Sequence, residues 1–309
     1  MTKPITKRKE GGQCKMAKIK DSKISGTQLA SWQRYLCNFL LAACFLVMVI
    51  PMWNVFVIST SSTLAAGASG IKLWWSEFSL EGYRYVFNVT KLGVPLLNSF
   101  YVSTTSVIFQ VLLSAFAGYV LIQKELPGRG VITSFILLTM MIPADLTMIS
   151  IYSLNKQLNL LNSYTGLIVN GLISGFSILL MQNYFLTVPY SLAESARIDG
   201  ASEYLIFFRI YLPISLPGLA TVFFMEFVAK WNNIMIPVTL ITEQAKYTLP
   251  LILRFLIVQK DVSVSGGAML APDNAIMAAV VISTIPLLLI YIFAQQFLLS
   301  GMTLGSSKE

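Results

Sequence analysis

Three ionisable residues stand inside long apolar runs of this chain: Asp145, Glu226 and Lys230. A charge at such a position costs roughly 2.5–3.5 kcal/mol on insertion scales, so it marks a pair or a path. Glu226 and Lys230 are four residues apart, in the order that favours an ion pair along one helix face. The spacing fits either a structural pair or the lining of a path for a hydrophilic solute. Near them stand Asn170, Trp231, Asn232 and Asn233, planar amides and an aromatic face of the kind that grips a sugar ring. Trp231 is equally the residue type that anchors a helix at a membrane interface. Asp145, two residues past Pro143, either satisfies backbone donors near the proline or faces the same path.

Other chemistries are excluded by what the sequence lacks. It has 0 histidines, which removes the usual imidazole base and the commonest metal ligand. Its 3 cysteines, Cys14, Cys37 and Cys44, show no metal-ligand spacing, and read as small apolar packing residues. No Gly-x-x-x-x-Gly-Lys-Ser/Thr phosphate loop occurs, since Gly128-Arg129-Gly130 is only a turn. No nucleophile–base pair is evident, so the chain reads as a non-enzyme that binds no cofactor itself.

The elements that must position these residues are membrane helices. Of 309 residues, 55% are hydrophobic and 12% charged, and the mean hydropathy is +0.70. Soluble domains carry about 25% charged residues. The apolar runs approach the ~20 residues that cross a bilayer, and none shows the alternation of a β-barrel. The expected fold is therefore an all-α polytopic membrane protein with six transmembrane helices: roughly Leu36–Ile58, Leu96–Ile122, Val131–Tyr152, Gly166–Leu186, Ile214–Pro237 and Ala275–Leu299. The organisation reads as a basic tail (1–35), a first span (36–58), an external loop (59–94), a core of the remaining spans (95–299) and a short tail (300–309). The net charge of +8 concentrates in the first tail, at Lys3, Lys7, Arg8, Lys9, Lys15, Lys18, Lys20 and Lys23. The positive-inside rule puts that tail, and with an even number of spans both termini, in the cytoplasm. It explains the charge without nucleic acid; anionic lipid is a secondary use of the tail. In the external loop Trp74, Trp75, Tyr83 and Tyr85 suit an interfacial belt, and a Gly-rich stretch near Gly266 reads as a loop.

Between the fourth and fifth spans lies a polar island, Pro189 to Pro217, which overlaps the cytoplasmic loop 187–213. Ser191 followed by Glu194 is a capping-box start for a helix. Asp199-Gly200 closes that helix, and Asp199 is placed to cap a second one on which Tyr204, Leu205, Phe208, Tyr211 and Leu212 recur at helical spacing. Pro213 and Pro217 break it again. Ala193, Ala196 and Ala201 are small enough to let another surface come close, with Glu194, Arg197 and Glu203 at the edge.

The run Glu194-Ser195-Ala196-Arg197-Ile198-Asp199-Gly200-Ala201, followed by Pro213, resembles the EAA loop of ABC-importer permeases, with Ser195 where alanine is usual. Leu126-Pro127-Gly128-Arg129, Met141-Ile142-Pro143, the turn from Leu158 to Gly166, Trp231-Asn232 and Gly301-Met302-Thr303-Leu304-Gly305 are similar to the type I permeases of carbohydrate importers. Within these the chain leans from the maltose-importer type toward oligosaccharide permeases of Gram-positive bacteria. Phe78-Ser79-Leu80-Glu81-Gly82-Tyr83 looks like the family's strap, which usually has asparagine at Gly82. The resemblance implies the ABC type I importer permease fold in a bacterial plasma membrane. It also implies a second permease subunit forming a heterodimer, two ATP-binding subunits that carry ATP and magnesium, and an external sugar-binding lipoprotein. Ser191, Glu194, Ser195, Ala196, Arg197, Asp199, Gly200, Ala201 and Pro213 would then couple to the ATPase. The competing class is an ion-coupled secondary transporter, which often shows internal repeats and acid or histidine chains; repeats are not evident here.

Overall fold

The computed structural model describes residues 31–262 and 271–306, with side chains over 32–143, 146–258 and 271–298. The basic tail up to residue 30, Cys14, the stretch around Gly266 and the side chain of Asp145 lie outside the described residues. Two units are distinct, 1–49 and 50–309. The described part of the first is a single helical stretch, the start of α1 (Ser31–Ser59), whose side chains, Cys37 and Cys44 among them, are mostly exposed.

In the second unit α1 ends at Ser59, and a strap carries α2 (Thr63–Gly67) and α3 (Glu81–Asn88). Then come α4 (Gly93–Ile122), α5 (Arg129–Met140), a 3-10 turn (Ala144–Thr147), α6 (Met148–Gln157), α7 (Tyr164–Val169) and α8 (Gly175–Leu186). The island follows as α9 (Tyr190–Ile198), α10 (Glu203–Ile206), a π-helical turn (Phe207–Tyr211) and α11 (Leu212–Ile214). The chain closes with α12 (Leu216–Trp231), α13 (Met235–Leu240), a 3-10 turn (Gln244–Lys246), α14 (Leu249–Val262) and α15 (Asp273–Ser306). Among the described residues no strand forms beyond one isolated bridge, Ser61 to Phe78.

The core sits where α4 packs along α8 and α12, and α15 packs along α12 and α3. Apolar side chains such as Met181, Phe185, Val222 and Phe227 fill it. One face of α4 is polar although buried: Ser99, Ser103, Ser106, Gln110 and Ser114 recur at helical spacing against α7, α8 and α12. Part of that stripe is satisfied by backbone, with Leu249 N–H donating to Ser99 Oγ at 2.7 Å and Ser106 Oγ donating to the Ile168 carbonyl at 3.4 Å.

Among the described residues three helices are long and apolar enough to cross a membrane: Trp32–Ser59, Gly93–Ile122 and Asp273–Leu298. A fourth candidate is the bent pair Glu203–Ile214 and Leu216–Trp231, which turns through 76°. The predicted third, fourth and fifth spans are not continuous helices. The third breaks at Met141-Ile142-Pro143, where proline has no N–H to offer and disfavours helix in the residue before it. The fourth breaks between Asn170 and Ser174, with Ser174 Oγ capping α8 at Ser177 N. The fifth ends at Trp231, and Asn233 Oδ1 accepts from Ile236 N to start α13. Apolar composition fixed the location of these runs; proline and side-chain caps fixed where they interrupt.

Gly82 fits a close approach. A Cβ there would lie 2.5 Å from the Asn274 carbonyl oxygen, while Asn274 Nδ2 donates to the Ser61 carbonyl at 3.0 Å and pins the strap to α15. The asparagine usual in the family would collide with backbone here. Tyr83 and Tyr85, expected at an interface, instead pack against the core, and Tyr83 hydroxyl shares a 3.0 Å hydrogen bond with Ser59. Gly82→Ala should overpack this contact at a cost of about 1–3 kcal/mol, seen as a lower Tm of the purified protein in detergent. An unchanged Tm would show that the strap gives way without cost.

Candidate functional site

The island is built by short-range backbone rules. Pro189, with φ −58°, presets entry into α9 at Tyr190, so the helix begins before Ser191. The expected capping box therefore does not form: Ser191 and Glu194 lie exposed within α9, and no side chain caps its start. The end of α9 behaves as the sequence suggests. Gly200 has φ +84°, its N–H donates to the Arg197 carbonyl at 3.0 Å and Ala201 N–H donates to the Ala196 carbonyl at 2.9 Å, the paired closure of a Schellman turn. The second helix is capped by Ser202, whose Oγ accepts from Leu205 N, and not by Asp199. The Schellman turn places two residues, Gly200 and Ala201, between Asp199 and the re-entry point.

The face of the second helix also differs from the 3.6-residue template. Ile206, Phe207 and Tyr211 are buried, while Tyr204 and Phe208 are exposed. A π turn holds more residues than an α turn and rotates every later side chain. Ala193 is wholly buried in this chain's own core, with Ala196 and Ala201 packed beside it. Their small size lets α9 sit tightly on its own bundle. The surface that α9 leaves outward carries Leu192, Glu194, Ser195, Ile198 and Asp199.

A charged network ties α9 to the end of α4. Arg197 Nε donates to Glu203 Oε1 at 2.6 Å, and Arg197 Nη2 to Glu203 Oε2 at 3.1 Å. Nη2 also reaches Gln123 Oε1 at 3.1 Å, and Nη1 the Tyr190 hydroxyl at 3.3 Å. The Tyr119 hydroxyl, on a side chain only 7% exposed, donates to Glu203 Oε2 at 2.6 Å. Lys124 Nζ stands 3.9 Å over the Tyr190 ring. Exposed ion pairs contribute little singly. This one gains from two-point guanidinium geometry and from a buried phenol that fixes the carboxylate. The hydrogen bond to Glu203 pushes the Arg197 guanidinium above its ordinary pKa, so it stays charged. Arg197 is thus committed inside the chain. Beneath the network Tyr119, Phe185, Phe207 and Tyr211 pack ring to ring, with Tyr119 to Tyr211 centroids at 5.0 Å.

The second group of residues is partly assembled. Asn170, Lys230, Trp231 and Asn233 line one small cavity of about 30 Å³, together with Ser103, Ser106 and Thr248. Asn232 lines a neighbouring open cavity of about 330 Å³, with Trp231 in the wall of both. Glu226 lies apart: its Oε1 accepts from Ser177 Oγ, itself 3.5 Å from Gln110 Nε2. The expected Glu226–Lys230 ion pair is not made. Lys230 Nζ donates instead to the Gly171 carbonyl at 2.8 Å, because the break between α7 and α8 exposes that carbonyl. Asn170 Nδ2 likewise donates to Asn155 Oδ1 at 2.8 Å and to the Gly166 carbonyl. Trp231 is no interface anchor; it is buried, stacked on Phe227 at 5.6 Å, with Nε1 donating to the Ser283 carbonyl at 3.1 Å.

Sequence reasoning missed Tyr119 and Gln123. They lie 84 and 74 positions from their partners Glu203 and Arg197, and no local pattern joins them.

Residues 110–304 match a family described as the binding-protein-dependent transport system inner membrane component. Over 269 residues, 85% of this chain and 93% of the relative, the chain is 34% identical to a polygalacturonan/rhamnogalacturonan transport system permease protein of Bacillus subtilis. It is 28% identical, over 85% of this chain and 92% of the relative, to an arabinooligosaccharides transport system permease protein of Halalkalibacterium halodurans. In fold it matches a chain of a bacterial ABC transporter involved in the import of the acidic polysaccharide alginate. That match has TM-score 0.76 and 24% identity, and covers 87% of this chain and 98% of the other.

Tyr119→Phe removes one hydrogen bond to a charged partner, worth about 1.5–3 kcal/mol. Opening of the island should then rise about tenfold or more, read as faster trypsin cleavage after Arg197 in the purified protein. Cleavage at the unchanged rate would show that the phenol contributes nothing to holding α9.

Proposed function

The chain belongs to the binding-protein-dependent transport system inner membrane component family, and from that premise we propose that it passes an oligosaccharide through the membrane and is driven through the island 187–213. As a family member it is a membrane-embedded permease subunit of an ABC importer, without enzymatic activity of its own; ATP is hydrolysed on a separate subunit. An oligosaccharide fits the named cargo of its relatives, polygalacturonan and arabinooligosaccharides among them. The partners of the complex would be a second, different permease, two ATP-binding subunits holding ATP and magnesium, and an external sugar-binding lipoprotein. Six crossings follow if α5 with α6 and α7 with α8 each form a broken span, with both termini and the island on the cytoplasmic side.

The observation that carries the coupling role is the braced island itself. α9 presents Leu192, Glu194, Ser195, Ile198 and Asp199 outward, while Ala193, Ala196, Arg197 and Ala201 fasten it to this chain. A push on the outward face is then transmitted through Glu203 to Tyr119 on α4, instead of being absorbed in a loose loop. Gly200 sets the angle between the two island helices, and Pro213 lies in the short helix before the 76° corner. Closure of the ATPase dimer would shift the population between conformers by differential contact with this face. On the path side Asn170, Lys230, Trp231, Asn232 and Asn233 would meet the sugar, with Glu226 deeper and Asp145 at the proline break.

A Cβ on Gly200 meets open space, so a substitution there acts through its φ and not through a clash. Gly200→Val should abolish uptake by the assembled importer while the chain remains in the membrane at normal abundance. Gly200→Asn, whose side chain tolerates the left-handed region, should retain most of it. Normal uptake by the valine variant would remove the coupling role. Pull-down of the tagged chain in mild detergent should bring an ATPase, a second permease of similar size and a lipoprotein, identified by mass spectrometry. Recovery of the chain alone, under conditions that preserve a known importer complex, would contradict the proposed assembly.

A further inference from the structure

The strap after α1 exposes more large apolar surface than a water-facing loop should. From Thr63 to Ser76 the sequence is Thr-Leu-Ala-Ala-Gly-Ala-Ser-Gly-Ile-Lys-Leu-Trp-Trp-Ser, with Lys72 as its only charged residue. Ile71 is 74% exposed, Leu73 53%, Trp74 74% and, just beyond, Phe78 64%. Contiguous exposed apolar side chains of this size call for a cover.

The strap's course identifies the cover. Trp53 Nε1 donates to the Leu73 carbonyl at 2.9 Å, and Asn54 Nδ2 donates to the Lys72 carbonyl at 3.1 Å. Trp53 and Asn54 precede the end of α1 at Ser59 by five or six residues, which at ~1.5 Å per residue is roughly 8–9 Å back along the helix. Higher up, Trp75 Nε1 donates to Thr60 Oγ1 at 2.7 Å. The chain therefore folds back along the flank of α1, lies beside Trp53 and Asn54 at Lys72–Leu73, and returns to Thr60 at Trp75. The flank it lies on is part of an apolar helix of a membrane-embedded chain, and Met52 beside Trp53 is exposed. The lone cation is withdrawn from the tip: Lys72 Nζ turns back to donate to the Ala65 and Ala66 carbonyls in α2. Around Trp75 the rings of Trp53, Phe56, Trp74 and Phe78 meet it edge to face, with Trp74 to Trp75 centroids at 5.3 Å, so the aromatic side chains form one contiguous cluster.

We propose that residues 71–74 form an interfacial foot that rests in the headgroup region of the bilayer, with Ile71 and Leu73 at the acyl boundary and the Trp74 indole among the headgroups. The occupant of this patch is lipid. The patch is continuous with an apolar membrane helix, its backbone carbonyls at Lys72 and Leu73 are already satisfied, and indole rings favour this depth. The foot goes beyond the transport reading and depends only on membrane embedding. It fixes the depth of the strap, and through Asn274 the start of α15, relative to the bilayer.

The test places one fluorophore at the tip. Cys14, Cys37 and Cys44 are changed to serine, Ile71→Cys or Trp74→Cys is added, and the single thiol is labelled with the environment-sensitive dye NBD. The labelled chain is put in phosphatidylethanolamine/phosphatidylglycerol nanodiscs, alone and assembled with its co-purifying partners. Lipid with a nitroxide at carbon 5 should quench either label severalfold more than aqueous iodide does, and more than lipid with the nitroxide at carbon 12, in both samples. Dominant quenching by iodide would overturn the proposal by placing the tip in water. Loss of lipid quenching on assembly would overturn it too, by showing that a protein partner covers the patch. Because the two sites are independent, a variant that misfolds by its melting curve leaves the other to decide.

Discussion

The Glu203 carboxylate is the joint on which the island depends. It accepts from Arg197 on one helix of the island and from Tyr119 on α4, and so ties together elements far apart in sequence. Without it α9 would be tied to the end of α4 by the Arg197–Gln123 hydrogen bond and the Lys124–Tyr190 contact, beside the small apolar contact of Ala193 and its neighbours. With it, the outward face of α9 and the end of α4 have little freedom to move separately. The same α4 carries the buried polar stripe of Ser99, Ser103, Ser106 and Gln110, and part of that stripe lines the small cavity with Lys230. One helix therefore connects the place where a partner would push to the place where a solute would pass.

The middle of the bundle solves a different constraint. Helices interrupted within the apolar region leave carbonyls and N–H groups that hydrocarbon cannot satisfy. Lys230, Asn170, Ser174 and Asn233 supply those partners at the breaks around Gly171 and Ile234. This accounts for a lysine that has a carboxylate one turn away yet bonds a carbonyl instead. The polar residues near the breaks consequently serve the backbone first. Any contact with a solute must come from the capacity they have left, such as the two remaining Lys230 donors.

Much of the fold was legible in the sequence. Hydropathy located the apolar runs, and the Asp199-Gly200 pair announced the turn that the structure closes with φ +84°. What failed did so for identifiable reasons. The capping box at Ser191 lost to Pro189, whose ring fixed the helix start earlier. The amphipathic face of the second island helix was misplaced because a π turn does not keep the α period. The Glu226–Lys230 pair was inferred from spacing on one helix, but the competing acceptor, the Gly171 carbonyl, comes from another helix and cannot be read locally. Tyr119 and Gln123 are of the same kind: ordinary residues in an apolar helix until the tertiary fold brings Arg197 and Glu203 to them.

The central claim is that the island and the end of α4 move as one body. The most direct measurement is a pulsed-EPR distance between spin labels on Ser191→Cys and Glu125→Cys, both exposed positions, in the cysteine-free background. It is taken in the assembled complex without nucleotide and with ATP trapped, with uptake by the labelled complex confirming that it still cycles. The account predicts the same distance distribution in both states. A shift between them would show that α9 swings independently of α4, and the brace through Glu203 would then not be the transmission.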